Sequence, residues 1–279
     1  MPLKTILVCL NSESHTANLT KAAAALARKH DAHVIGLHAI EALVVYPGVA
    51  MHIPGSVYEH FNDSQRAQSE AIKKIFVQHT ENEDFVAEWR LLRSNATSAA
   101  TRIIESARAA DLVIMAREEP DLDDLDQFDV QSEVIRSCGR PVLVVPPDYD
   151  GPAVGASALI GWSATREATR AVHDMVEVAD KGASATILCV NRPNTDELAD
   201  HGSNDLAAML DRHGLKTKIV HRDKGPDGIA EVLMHEAFES GADMIVTGAF
   251  GHSRVYDFVI GAVTRDLLHN AELPVLYSK

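Results

Sequence analysis

The sequence lacks the features that mark secreted, membrane-spanning and nucleic-acid-binding proteins. Only three cysteines occur among 279 residues, none with Cys-x2-Cys spacing, which argues against a disulfide scaffold. No apolar run approaches the ~20 residues of a membrane span, and the run at 5–10 is too short for a signal peptide. The net charge of −14 argues against nucleic acid or an anionic membrane as partner. We therefore predict a cytoplasmic protein whose Cys9, Cys138 and Cys189 are reduced, buried thiols.

Common catalytic motifs are missing as well. The chain has no Gly-x4-Gly-Lys-Ser/Thr loop, no Gly-x-Gly-x2-Gly turn and no Gly-x-Ser-x-Gly elbow. Its fourteen histidines form no His-x3-His pair and no Cys/His cluster with zinc spacing. No nucleophile stands beside a base in the arrangement that covalent catalysis needs. We therefore predict no catalytic residue and no metal site, and at most weak nucleotide hydrolysis.

An internal repeat organises the chain. The segment Ala110–Met115, which begins Ala-Asp and continues with apolar residues, is echoed by Ala242–Thr247. Between the two copies, residues 146–152 are rich in proline and glycine, which end both helices and strands. The sequence therefore predicts two domains of similar size, at residues 1–147 and 154–279.

Apolar runs alternate with amphipathic stretches in both halves. The apolar runs are continuous rather than alternating, which is typical of parallel strands covered on both faces. The pattern predicts an α/β protein with two doubly wound, Rossmann-like parallel-sheet domains in tandem. Such sheets bind ligands beyond the carboxyl ends of their strands. The predicted helices span roughly residues 17–29, 98–109, 166–180 and 228–239.

The most informative segment lies near the carboxyl terminus. The apolar run Met244–Val246 is followed by Gly248, Gly251 and Gly261. Gly248 and Gly251 allow left-handed backbone angles and let a ligand approach closely, because neither carries a Cβ. Backbone N–H groups in such a loop, and at the helix start behind it, attract phosphate. The alternative is that the glycines only serve a tight turn.

This Gly-x2-Gly-x9-Gly pattern resembles the nucleotide loop of the universal stress protein family. The segments 248–254 and 270–276 also resemble the family, and the likeness covers nearly the whole chain as a tandem of two such domains. Ala262 holds the place of the family's Ser or Thr, and Thr264 stands two residues further on. The resemblance implies ATP, with or without Mg²⁺, as a ligand of the second half. The implied contacts are Ser163, Ala164, Val190, Gly248, Gly251, His252, Gly261, Ala262, Val263 and Thr264.

Several of these residues have two interpretations. Ser163 and, in the first half, Asn11 stand where the family has an aspartate, and both hydrogen-bond without supplying a charge. His252 is either a cation for phosphate or a solvent-facing loop residue. Thr264 either contacts phosphate or Mg²⁺ or caps the following helix. Trp162 either stacks on a base or packs, and we favour packing.

The first half departs from the family pattern at the loop. Residues 118–129 contain seven carboxylates and no glycine. They would repel a triphosphate, and Pro120 lacks an N–H donor. We interpret the run as a solvated acidic loop rather than a metal site, and we predict that the first half does not bind ATP. His38 is expected to be packed or at the surface rather than a ligand.

The resemblance also implies how the halves join and what the protein does. The last strands, near 141–145 and 274–277, would pair across a pseudo-twofold and form an intramolecular pseudo-dimer, because an unpaired apolar edge invites aggregation. A further homodimer is left open. The first hypothesis is a regulatory or sensing protein that binds a nucleotide in its second half. The alternatives are a nucleotide-independent scaffold for unidentified protein partners and, last, slow nucleotide hydrolysis.

Overall fold

The computed structural model describes residues 2–40, 48, 54–93, 98–117, 125–151, 154–191, 199–224, 226, 228–251 and 261–279, with the backbone alone at 125–129, 191 and 199–201. Strands and helices alternate along both halves. The elements of the first half are β1 Thr5–Cys9, α1 Glu13–His30, β2 His33–Ile40, α2 Gly55–Thr80, β3 Ala87–Arg93, α3 Ala99–Ala107, β4 Leu112–Ala116, α4 Leu125–Ser137 and β5 Val142–Val145. Those of the second half are β6 Ser157–Trp162, α5 Arg166–Val178, β7 Ser184–Asn191, α6 Ala199–Arg212, β8 Lys216–Asp223, α7 Ile229–Ser240, β9 Met244–Gly248, α8 Ala262–Asn270 and β10 Val275–Ser278. All four predicted helices are present, as α1, α3, α5 and α7.

The strands form one ten-stranded sheet in the order β3-β2-β1-β4-β5-β10-β9-β6-β7-β8. Within each half the neighbouring strands are parallel. The halves meet where β5 and β10 pair antiparallel, with Val144 opposite Val275 and Val142 opposite Tyr277. The tandem α/β fold is therefore confirmed. The pairing closes two apolar edge strands that would otherwise be open to other chains.

Helices cover both faces of the sheet. One core packs α1, α2, α5 and α6 against the strands, and the other packs α3, α4, α7 and α8 against the opposite face. Successive residues of a strand alternate between the cores: Ile6 and Val8 enter the first, Leu7 and Cys9 the second. Burial of each large aliphatic side chain stabilises the fold by about 1.5–3 kcal/mol. Continuous apolar strands are the consequence of a sheet with no solvated face.

The repeated Ala-Asp pair has a structural role at the amino edge of the sheet. Asp111 accepts hydrogen bonds from the backbone N–H groups of Lys4 and Thr5 at 2.8 and 2.9 Å. Asp243 likewise accepts from the backbone N–H groups of residues 155–157 at 2.7–3.0 Å. Each aspartate thus fixes the start of the central strand of its own half. The repeated Ala-Asp pair in the sequence therefore reflects these structural hydrogen bonds rather than a ligand site.

The burial of the three thiols agrees in part with the prediction. Cys9 and Cys138 are buried, whereas Cys189 is half-buried rather than buried as predicted. Burial raises the pKa of the Cys138 thiol above its ordinary value.

Within the described residues, no helix has the length and apolarity that crossing a membrane requires.

Candidate functional site

The candidate site lies at the carboxyl edge of the second half. Strand β6 is parallel to β7 on one side and to β9 on the other, so the chain order reverses there. When the strand register is continued by one residue, Ser163 lies opposite Val190, and Gly248 lies one residue from the position opposite Ser163. Adjacent strands lie ~4.8 Å apart. The structure therefore brings these three predicted contacts to one edge, at the switch point.

Gly248 is required by the packing of α5 against β9. Neither Gly248 nor Gly251 uses the left-handed backbone angles that glycine allows. A Cβ at Gly248 would lie 2.4 Å from the Ala168 nitrogen and 2.5 Å from the Glu167 carbonyl carbon. Those atoms belong to the backbone at the start of α5 and cannot rotate away. The close approach at Gly248 is made by the protein's own helix.

Phe250 is the left-handed residue in the described part of this loop, with φ of 59°. A left-handed backbone costs a residue with a Cβ about 1–2 kcal/mol. The ring is half-buried and packs against the second core. The guanidinium carbon of Arg136 lies 4.5 Å from the ring centroid, and the Lys279 ammonium lies 5.8 Å from it. Sequence reasoning missed this contact because Arg136 comes from the other half of the chain.

Gly251 faces a carboxylate that the sequence did not point to. A Cβ there would lie 3.0 Å from Glu167 Oε2 and 3.5 Å from Thr165 Oγ1. The Glu167 side chain is only 10% exposed, and its other oxygen accepts from Arg166 Nη2 at 2.8 Å. The loop therefore lies beside a nearly buried carboxylate, and that carboxylate is paired with the exposed guanidinium of Arg166. An anion bound beside Gly251 would experience both.

Thr165 begins the helix beneath the loop. Its Oγ1 accepts a hydrogen bond from the Ala168 backbone nitrogen at 3.2 Å, which makes it the N-cap of α5. The same hydroxyl lies 3.3 Å from the Ser163 hydroxyl. Ala164, between them, is exposed. A threonine directly before an amphipathic run is a helix-start signal that could have identified Thr165 from the sequence.

The third glycine stands at the start of α8. Gly261 is the N-cap residue, with φ of −55°, so Thr264 lies inside the first turn and does not cap the helix. The capping interpretation of Thr264 is therefore wrong. Thr264 is 4% exposed, Val263 is half-buried and Ala262 is exposed. The predicted contact His252 lies in 252–260, outside the described residues.

Comparison with known proteins decides the family. The model of the universal stress protein family matches residues 2–146 and again residues 158–279. The chain belongs to the universal stress protein family. A universal stress protein of Synechocystis sp. is 24% identical over 147 residues. That match spans 51% of this chain and 48% of the relative, so the chain matches about half the length of the relative.

Two solved structures are similar over nearly the whole chain. A universal stress protein from Archaeoglobus fulgidus DSM 4304 has a TM-score of 0.75 at 15% identity, covering 98% of this chain and 96% of its own. A protein of unknown function from Pseudomonas aeruginosa PAO1 has a TM-score of 0.58 at 14% identity, covering 99% and 92%. At these identities the likeness shows the fold alone, with both halves included.

The matching edge of the first universal stress domain is built differently. His38 is 3% exposed, donates from Nδ1 to the Leu10 carbonyl at 2.6 Å and stacks on Trp89 at a centroid distance of 6.3 Å. Desolvation by burial lowers the pKa of His38. The prediction that His38 is a packed residue is confirmed. Trp162, in the second half, is half-buried and packs against the first core, as the packing interpretation expects.

The loop after β4 also differs from its counterpart after β9. Arg117 Nη1 donates to the backbone carbonyl of His269 in the last turn of α8. Residues 118–124 of the acidic run lie outside the described residues. Helix α4 begins at Leu125, so the interpretation of 118–129 as a loop is wrong for its last five residues. Among the residues that the structure describes, no group of three His, Cys, Asp or Glu side chains could hold a metal ion.

Proposed function

We propose that this universal stress protein is a cytoplasmic regulatory or sensing protein that binds ATP or a related nucleotide in its second half only. The observation that supports this proposal is the meeting of Ser163, Val190 and the loop 248–251 at the switch point of the second half. The domains would span 1–147 and 154–279. The proposed contacts are Ser163, Ala164, Val190, Gly248, Gly251, His252, Gly261, Ala262, Val263 and Thr264.

The chemistry of this edge suits a nucleotide. Hydroxyl and backbone groups at Ser163 and Val190 offer hydrogen bonds to a base or sugar. The amino end of α8, which starts behind Gly261, attracts phosphate through its helix dipole. Other universal stress proteins have been solved in complex with dAMP and with cAMP. The case for this chain depends on its own residues.

Glu167 determines which form of the nucleotide fits. Two like charges about 5 Å apart repel by about 3 kcal/mol at an effective dielectric constant of 20. Arg166, which pairs with Glu167 at 2.8 Å, offsets part of that repulsion. Mg²⁺ binds carboxylate and phosphate oxygens together. We therefore propose that the ligand is the magnesium complex, with Glu167 on the metal side of the polyphosphate.

Three observations support a single site. At the loop position of the first half, Arg117 is bound to the His269 carbonyl, and helix α4 starts at Leu125. At the end of β2, the His38 ring fills the space between the Leu10 carbonyl and Trp89. These contacts support a first half that keeps the fold of a nucleotide domain without binding the ligand.

Titration of the full chain with fluorescently labelled ATP, with Mg²⁺ and with EDTA, tests the proposal. We expect one saturable site with Mg²⁺ and weaker binding in EDTA. Ser163→Ala removes one hydrogen bond, about 0.5–1.5 kcal/mol, and should weaken binding about two- to twelvefold. Asn11→Ala, at the matching position of the first half, is the control and should leave affinity unchanged. Absence of saturable binding, or a second equivalent site, would refute the proposal.

A second function is favoured by the charge beside the loop. The nearly buried carboxylate of Glu167 disfavours a free triphosphate, and Ser163 adds no charge. An interaction scaffold without nucleotide accounts for both residues. Its protein partners would be captured by the immobilised chain equally well with and without Mg-ATP. Loss or gain of a captured partner on adding Mg-ATP would reject this alternative.

A further inference from the structure

Two contacts cross between the halves at matching positions. After β9, Phe250 lies against Arg136 in the last turn of α4. After β4, Arg117 donates to the carbonyl of His269 in the last turn of α8. Each half thus holds the loop that follows the fourth strand of the other half. The two contacts use different chemistry, and only the one at Phe250 reaches a glycine loop.

The conformation of Phe250 needs support from its surroundings. It lies between Gly248 and Gly251 and has the left-handed φ of 59°, which a phenylalanine adopts only where neighbouring groups enforce it. Its ring contacts the second core on one side. The guanidinium carbon of Arg136, 4.5 Å from the ring centroid, lies within the range of a cation–π contact. Lys279, at 5.8 Å, is at the outer limit of that range.

We propose that Arg136 is a positioning residue for the nucleotide loop of the second half. Through its contact with the ring, it keeps Phe250 left-handed and so fixes where the backbone amide of Gly251 points. The inference depends on the proposed function in so far as that loop binds nucleotide. It gives the first half a direct part in the site of the second.

The size of the effect follows from a two-conformer loop. Apparent affinity falls in proportion to the fraction of molecules whose loop is in the binding conformation. A cation–π contact at an exposed site corresponds to about a two- to fivefold change in an equilibrium constant. Arg136→Ala should therefore weaken nucleotide binding by up to about two- to fivefold, the full factor applying where the binding conformation is the minor one.

Hydrogen exchange of the ligand-free chain tests the positioning without any nucleotide. Arg136→Ala should speed exchange in peptides that cover 248–251. Arg136→Lys, which keeps a cation near the ring, should restore slow exchange. Arg117→Ala is the matched control, because it breaks the corresponding contact of the other half. It should leave exchange at 248–251 unchanged.

Labelled Mg-ATP titrations of the same variants complete the test. We expect weaker binding by Arg136→Ala, near-native binding by Arg136→Lys and native binding by Arg117→Ala. Unchanged exchange in Arg136→Ala, or equal loosening in Arg117→Ala, would overturn the inference. So would native affinity of Arg136→Ala when the unmodified chain binds. If the unmodified chain binds no nucleotide while Arg136→Ala still loosens the loop, the proposed function fails and the positioning stands.

Discussion

Alanine substitution of each of the three loop glycines distinguishes a glycine needed for packing within the protein from one needed for the approach of a ligand. At Gly248 the new methyl group would lie 2.4 and 2.5 Å from backbone atoms of α5, which can move only if the helix moves. At Gly251 the nearest atom of the described residues is Glu167 Oε2 at 3.0 Å, the end of a side chain. At Gly261 the nearest such atom is Thr264 Oγ1 at 3.9 Å. We therefore expect stability to fall most at Gly248 and least at Gly261.

The magnitudes follow from the cost of overpacking. Forcing a methyl group into a filled space costs about 1–3 kcal/mol, and the rigid contact at Gly248 puts Gly248→Ala at about 3 kcal/mol. Replacing glycine at a compatible backbone stabilises by about 0.4–1 kcal/mol through the unfolded chain. That gain offsets the small displacement of Glu167 in Gly251→Ala. It also offsets the poorer N-cap in Gly261→Ala, since alanine is a weaker cap than glycine.

Thermal unfolding followed by circular dichroism provides the measurement. A loss of about 3 kcal/mol lowers the Tm by about 6–12 °C for a folding unit of roughly 150–250 residues. The Tm of Gly251→Ala and of Gly261→Ala should stay within about 2 °C of that of the unmodified chain. Matched melts in Mg-ATP report whether each variant still gains stability from ligand. Equal Tm values for Gly248→Ala and Gly261→Ala would refute the packing argument. The close approach of α5 would then not be the reason for glycine at 248.

Two further predictions concern buried polar groups. The Tyr277 hydroxyl is fully buried with no hydrogen-bond partner among the described residues, and desolvation raises its pKa. Tyr277→Phe should therefore raise the free energy of unfolding, measured with urea, by about 1 kcal/mol. A destabilised variant would contradict this. Desolvation also lowers the pKa of His30 and His38 below the unfolded value of ~6.5. The unfolded state then binds more protons below about pH 6.5, so stability should fall from pH 7.5 to 5.5. His38→Gln should lose less stability than the unmodified chain over that range, and an equal loss would exclude His38 as a cause.

The fold could be predicted because its signals are local. The apolar runs at β4 and β9 are buried on both faces, and that burial leaves continuous apolar sequence. Helix α2 was not predicted, although it is the longest described helix. Its four buried residues, Ser69, Ile72, Phe76 and Thr80, all lie in the second half of the helix, and two of them are polar. The first half of α2 has no fully buried residue, so its sequence needs no continuous apolar stripe.

The candidate site could be placed in the fold from the sequence but not explained by it. The glycines that follow an apolar strand indicated the carboxyl edge of the sheet, and Gly248 ends strand β9 at that edge. The reason for Gly248 is a distance to α5, whose residues lie about eighty positions earlier in the chain. Glu167 and Arg136 reach the loop for the same reason, through tertiary packing. Spacing along one strand and loop carries no information about such contacts.

The repeat keeps its symmetry at one edge of the sheet and loses it at the other. At the amino edge, Asp111 and Asp243 make the same bonds to the first strand of each half. Those bonds stabilise each domain, so both copies need them. At the carboxyl edge, Arg117 binds a helix carbonyl where the second half has a glycine loop. Because β5 and β10 join the halves, these differences at the carboxyl edge leave the shared sheet intact. That edge is where such sheets bind ligands, so the two copies can differ there without a change of fold.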